Sequence, residues 1–85
     1  MAKVLVTLRI MPTGVEVNPN ELEEKIKEKI KPERIVKQPI AFGLVSLFIE
    51  KIIEDKEGEM EELENKIRSI EGVSSVEILR ITRLL

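Results

Sequence analysis

The residues whose types could do chemistry crowd into one stretch: Glu54, Asp55, Glu57, Glu59, Glu61, Glu62 and Glu64. Carboxylates at this density could pair for general acid–base work or hold magnesium. Either use needs the groups held in a cleft with shifted pKa values. The stretch reads instead as a solvated acidic turn running into a helix start, where negative charge complements the helix dipole. The EF-hand loop spacing is absent. The basic residues Arg68, Arg80 and Arg83 could form a patch, although scattered surface arginines are the commoner arrangement.

The missing residue types exclude more than the present ones suggest. The 85 residues contain no cysteine, histidine, tyrosine or tryptophan. Disulfides, thiolate metal sites and cysteine nucleophiles are therefore ruled out, along with the commonest general acid–base residue. Gly14, Gly43, Gly58 and Gly72 are isolated, and none opens a helix ahead of a Lys-Ser/Thr pair, so there is no phosphate loop. No cofactor and no metal are expected. A net charge of -2 favours no phosphate backbone. Stacking aromatics are absent apart from Phe42 and Phe48. No apolar run is long enough to span a bilayer, and Met1-Ala2-Lys3 leads straight into a strand pattern rather than a signal peptide. The expected location is the cytoplasm. The length suits one domain, residues 1–85, with a modest core and no deep private cavity. Such a chain is expected to act by touching another macromolecule.

The elements that would position any contact follow from periodicity. Val4, Val6, Leu8 and Ile10 alternate with Thr7 and Arg9, which predicts a half-buried strand ended by Pro12-Thr13-Gly14. Asn18 caps a helix with Pro19 at its first position, Glu21 in its first turn and a Val17–Leu22 staple. Leu22, Ile26 and Ile30 form its apolar stripe, and Pro32 stops it. Ile35 to Gln38 predicts a short strand, at an edge because Pro39 follows. Leu44 to Glu54 predicts a longer one, with Val45, Leu47 and Ile49 on one face and Ser46, Phe48 and Glu50 on the other. Met60, Leu63, Ile67 and Ile70 mark a second helix, with Gly72 as its left-handed end. Val73 to Arg83 is the last strand. Val76 and Ile78 point inward, and sidedness is lost around Leu79-Arg80-Ile81.

The order β-α-β-β-α-β with two one-striped helices predicts an α+β fold. It is the ferredoxin-like plait, a four-stranded antiparallel sheet with both helices on one face. The other face would carry Leu5, Thr7, Arg9, Ser46, Phe48 and Glu50. That mixture suits an ordinary solvated face and a contact surface equally. Two features stand out. The end Ile81-Thr82-Arg83-Leu84-Leu85 is apolar for a chain terminus and includes a cation. It could cover the core or dock into a partner. Phe42 lies in a turn, where it either folds back over the core or stands exposed.

These two places also carry a resemblance. The string Pro39-Ile40-Ala41-Phe42-Gly43-Leu44-Val45-Ser46-Leu47 resembles the archaeal elongation factor 1-beta family. So do Ile70-Glu71-Gly72-Val73-Ser74-Ser75-Val76-Glu77-Ile78, the terminal Thr82-Arg83-Leu84, and the opening strand through Ile10-Met11-Pro12. The resemblance spans essentially the whole chain. It implies the same ferredoxin-like fold and a guanine nucleotide exchange factor, not an enzyme, acting on the GTPase elongation factor 1-alpha. It implies no cofactor, and a chain that is monomeric when free and meets the GTPase in GDP-bound and nucleotide-free states. By position, Phe42 matches an aromatic that packs against the GTPase, flanked by Ile40, Ala41 and Gly43. Arg83, with Leu84 beside it, aligns with a penultimate Lys that reaches the GTPase's magnesium and phosphate region. Here the cation is Arg, and two leucines follow it. Arg is bulkier and forked where Lys is a point charge.

Other ferredoxin-like modules do different work. An amino-acid-sensing regulatory domain would share the Gly72-to-Val76 turn and would bind a small molecule specifically. A metal carrier would need a Cys-x-x-Cys loop where Met11-Pro12-Thr13-Gly14 stands. An RNA-binding plait would need stacking aromatics on its middle strands, and Phe48 alone does not supply them.

Overall fold

Alternation along the first strand fixes the core. In the computed structural model, which describes residues 2–84, β1 (Lys3–Pro12) buries Val4, Val6, Leu8 and Ile10 and leaves the residues between them half-buried. β3 (Val45–Glu54) adds Leu47 and Ile49 to the same face. α1 (Pro19–Ile30) lays Leu22, Ile26 and Ile30 on it, and α2 (Glu59–Arg68) lays Leu63 and Ile67. Burying a side chain of this size stabilises the fold by roughly 1.5–3 kcal/mol.

The local chemistry explains where α1 begins and ends. Asn18 Oδ1 accepts from the backbone N–H groups of Asn20 (2.9 Å) and Glu21 (3.3 Å), satisfying two otherwise unpaired donors. At the other end Lys31 turns left-handed, with φ 48°, and its N–H donates to Lys27 O at 3.1 Å before Pro32 blocks continuation. β2 (Arg34–Pro39) is an edge strand, as Pro39 requires. β4 (Val73–Leu84) is the opposite edge and the longest strand at 12 residues. The sheet order is β2-β3-β1-β4, every pair antiparallel, with both helices contributing to one core. This is the expected ferredoxin-like plait.

Two details differ from the sequence expectation, and a third, the lost sidedness, finds its cause. α2 stops at Arg68, so Gly72 is not its end residue. Gly72 has φ 99° and turns the chain into β4, against Val17 of the β1–α1 loop. The lost sidedness near Leu79 is a β-bulge: Thr7 pairs with Arg80 but Leu8 pairs with Ile78, leaving Leu79 as the extra residue. Ser46 shares the helix-free face with Phe48 yet is fully buried, its hydroxyl donating to Gln38 O at 3.2 Å. A small hydroxyl bonded to the neighbouring strand needs no solvent.

Candidate partner-binding site

Phe42 is the most exposed large apolar side chain of the described residues, at 92%. It sits at the middle of the five-residue loop Ile40–Leu44, closed on one side by the last β2–β3 pair, Pro39 with Val45. Ile40 N–H donates to Leu44 O at 2.8 Å, and Leu44 N–H donates to Ala41 O at 3.4 Å. This closure forces a tight turn at its apex. Phe42 takes φ 63° and ψ 28°, and Gly43 follows with φ 76°. Glycine adopts that conformation freely. A phenylalanine pays on the order of 1 kcal/mol for it. The ring gains no burial within the chain to offset that cost, so Phe42 does not fold back over the core.

Ile40, Ala41 and Gly43 are exposed around Phe42, so the structure brings these four residues together on one tip. A fifth residue joins them from another loop. Val15, 65% exposed, has Cγ1 3.6 Å from where a Cβ on Gly43 would stand. Periodicity gave no hint of this neighbour. Val15 lies outside every periodic stretch, and its only local mark is an apolar side chain between Gly14 and Glu16.

Arg83 and Leu84 are elsewhere. Arg83 pairs in register with Val4, and Leu84 with Lys3, at the end of the sheet where β3 finishes. Val4 in turn pairs with Ile53, eight residues along β3 from Val45. At the rise of an antiparallel strand that separation is about 27 Å, in a molecule 41 Å long. β3 and β4 also flank β1 on opposite sides. Phe42 and Arg83 therefore stand near diagonally opposed corners. One nucleotide-sized site cannot touch both.

The end of β4 is ordered by pairing with β1. Leu84 is half-buried and, because strand partners share a face, lies on the helix-free side with Lys3, away from the main core. Leu85 lies outside the described residues. The Arg83 side chain is 71% exposed and donates from Nη2 to Asp55 Oδ2 at 3.3 Å. Asp55 is itself fixed, its N–H donating to Ala2 O at 2.9 Å. The acidic stretch thus supplies partners for two arginines, Asp55 for Arg83 and Glu64 for Arg68 at 3.1 Å. Among the described residues no group of three or more His, Cys, Asp or Glu side chains could hold a metal ion.

The helix-free face has its own ion pair, Arg9 with Glu77, between register partners on β1 and β4. Phe48 and Glu50 line a shallow depression there with Thr7, Arg34, Val36 and Gln38. On the helix side Glu23 accepts from Lys37 Nζ at 2.8 Å, tying α1 to edge strand β2. That hydrogen bond holds the Glu23 carboxyl below its ordinary value, helped by the charges of Lys27 and Lys37 and opposed by desolvation. No described helix is long and apolar enough to cross a membrane.

The whole of this surface falls within a known family pattern. Residues 5–84, which include both the Phe42 tip and the Arg83 end, match the EF-1 guanine nucleotide exchange domain. The chain belongs to the elongation factor 1-beta family. It is 43% identical to elongation factor 1-beta of Thermofilum pendens, over 98% of this chain and 97% of that one. It is 38% identical to the Methanocaldococcus jannaschii protein of the same name, over 96% and 98%. With that of Methanothermobacter thermautotrophicus it shares 38% over the full length of both. Membership of the elongation factor 1-beta family carries a guanine nucleotide exchange role in translation elongation.

Proposed function

We propose that this chain promotes GDP release and GTP loading on elongation factor 1-alpha, with Phe42 as an apolar wedge and Arg83 as a cation reaching the GTPase's magnesium and phosphate region. The observation that carries this reading is Phe42 itself: 92% exposed and held left-handed, with no use inside the fold. Ile40, Ala41 and Gly43 form the rim of that contact, and Leu84 flanks Arg83.

The mechanism is linkage. A partner that binds the nucleotide-free GTPase more tightly than the GDP-bound one must weaken GDP binding by the same factor. The distance between Phe42 and Arg83 makes the contact two-pointed. Arg83 acts near the metal and phosphates, while Phe42 anchors the chain on a separate part of the GTPase. No bond is made or broken by the chain, so the reading assigns it no enzyme activity and no cofactor. The free chain acts as a monomeric single domain in the cytoplasm, with no direct part for nucleic acid or membrane.

The test is release of fluorescent GDP from purified elongation factor 1-alpha in excess unlabelled nucleotide. Acceleration by sub-stoichiometric chain supports the reading. A release rate unchanged by the wild-type chain overturns it.

A further inference from the structure

We infer that Val15, on the loop between β1 and α1, is a second apolar contact for the same GTPase, so that the docking tip is built from two loops. The inference rests on the exchange-factor reading and adds to it a residue from outside the β2–β3 loop. Six large apolar side chains are notably exposed among the described residues: Val15, Val36, Ile40, Phe42, Leu79 and Ile81. Three of the six, Val15, Ile40 and Phe42, gather at one corner. Val15 is seated against the loop backbone beside the apex, 3.6 Å from the position of a Gly43 Cβ. It is also held in place. Val17 N–H donates to Gly14 O at 3.2 Å across its turn, and Thr13 N–H donates to Gly72 O at 2.9 Å at the turn's base. A contact residue on a fixed turn loses little freedom on docking.

The chemistry of the tip selects its occupant. From Pro39 to Ile49 there is no charged residue, in a chain where 35% of residues are charged. A phosphate-rich or ionic surface would be desolvated there without a counter-charge. An apolar concavity on the GTPase is the fitting partner. A second copy of this chain fits poorly, because its surface depressions are lined by charged groups: Lys29, Glu61, Glu62 and Lys66 in one, Arg34 and Glu50 in another.

The experiment measures the chain concentration giving half-maximal GDP release for wild type, Val15→Asp, Val15→Ile and Phe42→Ala, with circular dichroism and Tm checked for each. Val15 is mostly exposed, so Val15→Asp is expected to fold. Should it not, Val15→Asn replaces it. The expected result is at least a tenfold rise in that concentration for Val15→Asp, an unchanged maximal rate, and retention in Val15→Ile. If Val15→Asp matches wild type while Phe42→Ala is impaired, the Val15 inference falls and the exchange-factor reading stands. If the wild-type chain itself leaves GDP release unchanged, both fall. Sedimentation showing a wild-type dimer that Val15→Asp dissolves would overturn the inference in favour of self-association.

Discussion

Arg83 Nη2 lies 3.3 Å from Asp55 Oδ2, linking the last strand to the turn between β3 and α2 at the corner opposite Phe42. Both side chains are substantially exposed, 71% and 46%. An ion pair so placed contributes at most about 1 kcal/mol. It therefore holds Arg83 loosely, and on the proposed reading docking on the GTPase breaks it.

Asp55→Asn removes the competitor for Arg83. The expected outcome is a fall of up to about fivefold in the concentration needed for half-maximal GDP release, the fold equivalent of an exposed pair. Tm should move by only a few degrees. In an Arg83→Ala background the gain should vanish, which separates the pair from a general charge effect. A gain that persists without Arg83 would contradict this account.

Glu23 gives a pH prediction. Its folded pKa is depressed, chiefly by the Lys37 hydrogen bond, so its contribution to stability is present above the ordinary glutamate range. That contribution is lost as pH falls through the folded value. Tm curves for wild type and Glu23→Gln should be separated near neutrality, with wild type higher, and should converge in acid. A separation that stays constant down to low pH would show that the Lys37 contact is not what stabilises β2 against α1.

Gly72→Ala tests the turn into β4. The residue has φ 99°, and a Cβ there would meet Val17 Cγ1 at 3.3 Å. Backbone strain and crowding together should cost about 1–2 kcal/mol. For a domain of this size that lowers Tm by roughly 5–15 °C.

Much of this fold was legible because its elements are simple. The strict alternation of β1 and the i, i+4, i+8 stripe of Leu22, Ile26 and Ile30 each admit one reading. Asn18-Pro19 marks a helix start by chemistry that needs no tertiary context. The end of α2 was less legible, because Gly72 suits a helix end and a strand entrance equally, and only packing against Val17 decides between them. Leu79 broke the alternation for a reason that a single strand cannot reveal, since a bulge is defined by its neighbour. The candidate site drew attention in sequence as residues and not as geometry. Phe42 and Arg83 stood out in sequence, but the antiparallel register alone shows that they occupy opposite ends. Val15 and the Asp55–Arg83 pair are products of tertiary neighbourhood, and no local spacing encodes them.

The most direct measurement is GDP release from elongation factor 1-alpha with the wild-type chain, Phe42→Ala, Arg83→Ala and the double variant. Losing a buried aromatic contact of about 2 kcal/mol predicts roughly thirtyfold weaker action for Phe42→Ala, with folding stability nearly unchanged. Because the two residues are far apart, the fold-losses of the single variants should multiply in the double. Wild-type acceleration with multiplying losses is the predicted result. A wild-type chain that leaves the release rate unchanged, or variants that both act as wild type, would contradict the two-point exchange account.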